Sequence, residues 1–117
     1  MRILTLMILG LMVVGCGNSA EKKVIGEYEL KEDGNTERVV LLDNGIMELY
    51  KNGKKDEVEH KWSISKEGEI HATDSEGDIF IFRINKDGSI TIIARIGKDR
   101  EREDYPKNRQ TTFKKIK

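Results

Sequence analysis

The sequence predicts an all-β fold, a small antiparallel up-and-down meander of about eight strands, following a short apolar helix at the N-terminus. Three observations carry that prediction. β-branched and aromatic residues recur in short runs, and no stretch after residue 24 sustains the 3.6-residue period of an amphipathic helix. The runs are separated by short polar segments, and short connections join antiparallel neighbours, because a parallel crossover takes a dozen or more residues. Three of those segments, Lys66-Glu67-Gly68, Ser75-Glu76-Gly77 and Lys86-Asp87-Gly88, end in glycine. That is the form of a three-residue hairpin loop whose last residue takes a positive φ.

The first element is "MRILTLMILGLMVVGC": a basic Arg2, an uncharged apolar run from Ile3 to Val14, and a small residue, Gly15, before Cys16. The run is too short for a membrane-spanning helix, which needs about 20 apolar residues, and it has the organisation of a signal segment. Val13-Val14-Gly15-Cys16 resembles the lipobox of bacterial lipoproteins. That resemblance implies cleavage between Gly15 and Cys16 and a lipid on Cys16, here the only cysteine of the chain. It further implies attachment to a membrane of the bacterial cell envelope. Gly17 is not the aspartate that retains such proteins at an inner membrane, so the outer membrane, facing the periplasm, is expected where there are two. The expected organisation is therefore a signal peptide over 1–15, a lipidated cysteine and polar tether over 16–23, and a β-domain over 24–117.

Within that domain, strands are expected over 24–30, 36–42, 46–51, 58–65, 69–74, 78–84, 89–96 and 110–116. The three glycine-terminated loops fix a register. They set Ile64 opposite Ile70, Trp62 opposite Ala72, Ile70 opposite Phe82, Ala72 opposite Phe80, Ile84 opposite Ile90 and Phe82 opposite Ile92. One apolar face then runs across four strands, and a slip of one residue would turn it outward. Asp43-Asn44-Gly45 leaves two alternatives. As a three-residue loop it puts Val39, Leu41, Met47 and Leu49 on one face, whereas an Asn-Gly two-residue turn selects Val40 and Leu42 instead. The charged stretch from Gly97 to Gln110, with the only proline at Pro106, reads as an extended excursion or short irregular lid before the last strand.

An eight-strand meander leaves two bare edges unless it closes, so a barrel is expected, with an open curled sheet or two-layer roll as the alternative. Gly26-Glu27-Tyr28 on the first strand resembles the Gly-X-Trp that opens lipocalin-type barrels, with tyrosine in place of tryptophan. That resemblance implies a small apolar ligand inside the barrel. The bulky inward residues argue the other way, for an interior filled by its own side chains. Tyr28, Trp62, Phe80 and Phe82 are accordingly candidates for either core or pocket.

Composition narrows the functions. The chain has 21 basic and 21 acidic side chains, and losing Arg2 with the signal removes one basic charge. That balance argues against a nucleic-acid partner, which calls for a basic excess. No cofactor motif or glycine-rich phosphate loop is present. His60 and His71 fall on opposite faces in the expected register, so one metal cannot collect both. His60 facing Asp74 would suit acid–base chemistry, with a cross-strand structural pair as the plainer reading. Glu57 with Glu59, or Glu101 with Glu103, would suit weak calcium binding or glycosidase carboxylates, with a solvated face as the plainer reading. Ile79, Ile81 and Ile93 form a small apolar patch on the outer face, Ile81 opposite Ile93. The patch suits either a partner surface or cover by the Gly97–Gln110 stretch or by the N-terminal tether. The function expected is a non-enzymatic, membrane-anchored binding or envelope-support module with an envelope protein as partner, or else a carrier of a small apolar ligand.

Overall fold

The computed structural model describes residues 21–117, so the signal segment, Gly15 and Cys16 lie outside the described residues. After a helical turn at 21–24 come ten strands: β1 (Gly26–Glu32), β2 (Asn35–Leu41), β3 (Ile46–Lys51), β4 (Lys54–Lys55), β5 (His60–Ile64), β6 (Ile70–Thr73), β7 (Ile79–Ile84), β8 (Ile90–Ile96), β9 (Arg102–Asp104) and β10 (Thr111–Lys115). All pairings are antiparallel. Strand β10 bonds to β8 on one side and to β1 on the other, so the meander closes into an eight-strand barrel. Closure leaves neither of the bare edges that an open meander would expose. Strand β4 is a spur on β3. Strands β9 and β10 lie along the same edge of β8, Ala94 facing Asp104 and Ile92 facing Thr111, as two pieces of one strand interrupted by Tyr105–Gln110.

The expected register holds at every pair drawn from the three loops: Ile64 with Ile70, Trp62 with Ala72, Ile70 with Phe82, Ala72 with Phe80, Ile84 with Ile90 and Phe82 with Ile92. The Asp43-Asn44-Gly45 ambiguity resolves to the three-residue loop, with Val39 facing Leu49 and Leu41 facing Met47. All four loops close alike. In each, the residue before the loop accepts from the glycine N–H, as Asn85 O does from Gly88 N at 3.0 Å, and donates to the residue after it, as Asn85 N does to Ser89 O at 2.9 Å. The final glycines sit at φ between 81° and 92°, where a Cβ is disfavoured.

Two expectations are corrected. The Gly97–Gln110 stretch is not simply extended and irregular: it turns back as β9 and then forms a 3-10 turn at Lys107–Arg109 behind Pro106. Ile81 does not face Ile93. The register between β7 and β8 shifts by one residue, so that Phe82 pairs with Ile92 but Ile81 pairs with Ala94, leaving Ile93 as the extra residue of a bulge. A bulge bends and twists a strand, which helps so small a sheet to curl shut. Hairpin-loop counting reports only the residues nearest the loop, and this slip lies beyond them.

The core runs along the barrel axis. Its lower half, where the described chain begins and where loops 43–45, 66–68 and 86–88 turn, is packed with Tyr28, Leu41, Trp62, Ile70 and Ile90. Val24, 3% exposed, plugs that end, and Tyr28 Oη donates to its carbonyl at 2.6 Å. Trp62 Nε1 donates to Leu42 O at 2.9 Å, so both polar tips of the large aromatics are satisfied.

Candidate functional site

The alternation that fills the lower half leaves the upper half open. Inward positions there belong to Leu30 and Glu32 on β1, Glu37 on β2, Leu49 on β3, Phe80 on β7 and Thr111 on β10. Glu32, Glu37 and Thr111 are polar and stand at the rim, where they meet solvent instead of filling the axis. Ala72, facing Phe80 from β6, adds little volume. The result is a cavity of about 310 Å³ inside the barrel, floored by Met47, Phe82 and Phe113. Such a volume lies at the small end of the range for small-molecule sites, about 300–1,000 Å³. Phe80, Leu30, Leu49 and Ile92 are only partly buried although they pack against the core, so apolar surface faces into the cavity.

One wall carries a histidine. His60 opens β5 opposite Met47, is 6% exposed and lines the cavity. Its ring lies 5.9 Å from that of Phe80, tilted by 60°. Its Nδ1 is buried with no hydrogen-bond partner among the described residues. Asp74, expected to face it, is engaged elsewhere: its Oδ1 accepts from Glu76 N at 2.9 Å and Asp78 N at 3.0 Å, tying the 75–77 loop. The structure therefore does not assemble a His60–Asp74 pair. Its reason is local, since two loop amides converging on one carboxylate leave that carboxylate no need of an imidazole.

His71 lies on the outer face, beside Ser63 and Ile81. The two histidines are thus on opposite faces, as expected. Among the described residues no cluster of three or more His, Cys, Asp or Glu is arranged to hold a metal ion.

The aromatic candidates divide. Tyr28 and Trp62 are core, 1% and 8% exposed, while Phe80 and Phe82 are cavity wall and floor. Of the outer isoleucines, Ile81 is 0% exposed and Ile79 and Ile93 are half-buried, so the three do not present a continuous apolar surface. The charged cleft of about 820 Å³ near the same end, lined by Glu76, Asp78, Arg95, Lys98, Glu101 and Arg102 among others, is larger. Its two arginines are held internally, Arg95 by Asp78 at 3.5 Å and Arg102 by Glu69 and Asp104, and Lys98 alone of its cations makes no salt bridge among the described residues. The axial cavity is the better-built site. The sequence offers Phe80 and Phe82 as core or pocket but argues for a filled interior, and Glu32, Glu37 and Thr111 went unnoticed although polar residues at inward positions of three strands were a readable signal.

No protein-family model, curated protein or solved structure matches this chain.

Proposed function

We propose that this chain is a membrane-anchored bacterial lipoprotein whose lipocalin-like barrel is a non-enzymatic binding module for a small apolar ligand. The single observation that carries the binding part is the axial cavity, apolar on its walls and floor except at His60, with its other polar groups at the rim. The anchored part rests on the Val13-Val14-Gly15-Cys16 resemblance, and the fold's polarity gives such an anchor an orientation. The described chain begins at the plugged end, against Val24 and Tyr28, and the cavity opens at the other end, between Glu32 and Thr111. A domain held through Cys16 would thus turn its open mouth toward the aqueous side, the periplasm if the anchor is in an outer membrane. An envelope-protein partner docking on Ile79, Ile81 and Ile93 has less support, because Ile81 is covered.

Native mass spectrometry of protein purified from its own host tests the binding part: a co-purifying small molecule supports it, and an unliganded mass under conditions that preserve other ligand complexes counts against it. Metabolic labelling with palmitate tests the anchor, with label expected on the wild type and lost in Cys16→Ser. Equal label on both would end that part.

A further inference from the structure

A histidine is an uneconomical way to wall an apolar cavity. Among the described residues three buried ones are polar or charged. Ser89 bonds Asp87 and Asn85, and Thr91 bonds Asn85 and Thr112. His60 alone of the cavity-lining residues has an unpartnered buried atom, the other such atoms, His71 Nε2 and Asp78 Oδ1, not lining it. His60 Nδ1 is enclosed with no partner, which costs stability, and the other ring nitrogen, Nε2, is neither enclosed nor bonded among the described residues, so it is the atom a molecule in the cavity can reach. Leucine or phenylalanine at position 60 would satisfy β5 and pack against Phe80 at no such cost. At the mouth, Glu32 and Glu37 are the two ionisable lining groups, and neither makes a salt bridge among the described residues. Two uncompensated carboxylates at the rim of an apolar cavity repel an anion that must shed its water to pass them.

We propose, building on the ligand-binding reading above, that the cavity takes a small uncharged amphiphile. Its apolar body lies among Met47, Phe80, Phe82 and Phe113, and a single hydroxyl or carbonyl head hydrogen-bonds the His60 imidazole. Carboxylates of the same shape are rejected by Glu32 and Glu37. The imidazole suits either head, since a neutral ring carries one donor and one acceptor nitrogen. A site built to bond one polar group discriminates against the analogue lacking it, because the protein's own group is then left unpaired.

The test is calorimetric titration of the full chain in nanodiscs, corrected with empty nanodiscs, using toluene, benzyl alcohol and benzoate. Benzyl alcohol is expected to bind about fivefold or more tighter than toluene, the worth of one ordinary hydrogen bond, with benzoate weakest. His60→Phe should bring benzyl alcohol down to the toluene level while toluene still binds. His60→Gln, which keeps a donor and an acceptor, should retain the preference, and it separates a lost bond from a damaged fold. Glu32→Gln with Glu37→Gln should strengthen benzoate alone. Toluene binding as tightly as benzyl alcohol, or a preference untouched by His60→Phe, overturns the assignment of the head group and leaves the carrier reading standing. Silence of all three probes overturns the carrier reading, and this assignment with it.

Discussion

Arg102 on β9 reaches Glu69, just ahead of β6, through two bonds, Nη1 to Oε1 at 3.1 Å and Nη2 to Oε2 at 3.4 Å. In the strand register the line between them crosses β8 and β7 over Ala94 and Ile81, both 0% exposed although they face away from the barrel axis. The ion pair is thus a strap over an apolar strip, and its guanidinium is also fixed by Asp104 Oδ1 at 2.8 Å from Nε. This strap, supplied by the Gly97–Gln110 stretch, is the cover that the outer isoleucines require.

The strap and the strip beneath it should differ in energetic weight. The Arg102 side chain is 38% exposed, so Glu69→Gln is expected to cost about 1 kcal/mol or less and to matter less at high salt. Ile81→Ala, which empties a buried site, is expected to cost about 2–5 kcal/mol. Urea unfolding of both variants checks the order, and an equal cost for the two would show that the apolar strip is not packed as described.

Tyr28 predicts an alkaline limit. Burial pushes its phenol up to about 12, against an unfolded value of about 10. A raised folded value means that folding favours the protonated phenol. The stabilisation is therefore complete below pH about 10 and is lost as pH climbs through about 12, roughly 3 kcal/mol in all. Unfolding free energies of wild type and Tyr28→Phe between pH 9 and about 12 should converge, and parallel curves would refute the linkage.

Gly26 should be the least replaceable glycine. Its φ is 149°, and a Cβ there would run into the Lys117 carbonyl, where β1 meets the end of the chain beyond β10. Gly34 lies in the tight turn between β1 and β2 at φ 80°, and a methyl added to its Cα would meet nothing within 4 Å. Gly34→Ala is expected to cost about 1 kcal/mol, the conformational penalty alone. Gly26→Ala should cost well above that, because it adds a clash at the seam of the barrel. Thermal melts of the two variants decide it, and equal losses would mean that the seam yields easily.

Much of the fold was legible because its information is local. The loop glycines at 45, 68, 77 and 88 each state a register within a few residues, and the apolar alternation from Trp62 to Ile92 agrees with them. What was illegible is what depends on distant chain. The Ile93 bulge answers to barrel curvature, and β9 answers to the free edge of β8 beyond β10. The cavity is a difference between the volume of a closed ring and the side chains put into it, so bulky inward residues point, on sequence alone, to a filled interior. The upper half is instead open, because Glu32, Glu37 and Thr111 occupy inward positions without filling them. His60 stands out in the sequence for its chemistry, but its expected partner Asp74 is a loop tie.

The central claim is that small apolar molecules enter the barrel and do not dock on its outer face. Methyl carbon–proton NMR of the full chain, titrated with benzyl alcohol, addresses it directly. The account predicts shifts at Met47, Leu49 and Ile92, which line the cavity, with Ile79 and Ile93 outside it unmoved. Shifts confined to Ile79 and Ile93, with Met47 and Ile92 silent, would contradict it.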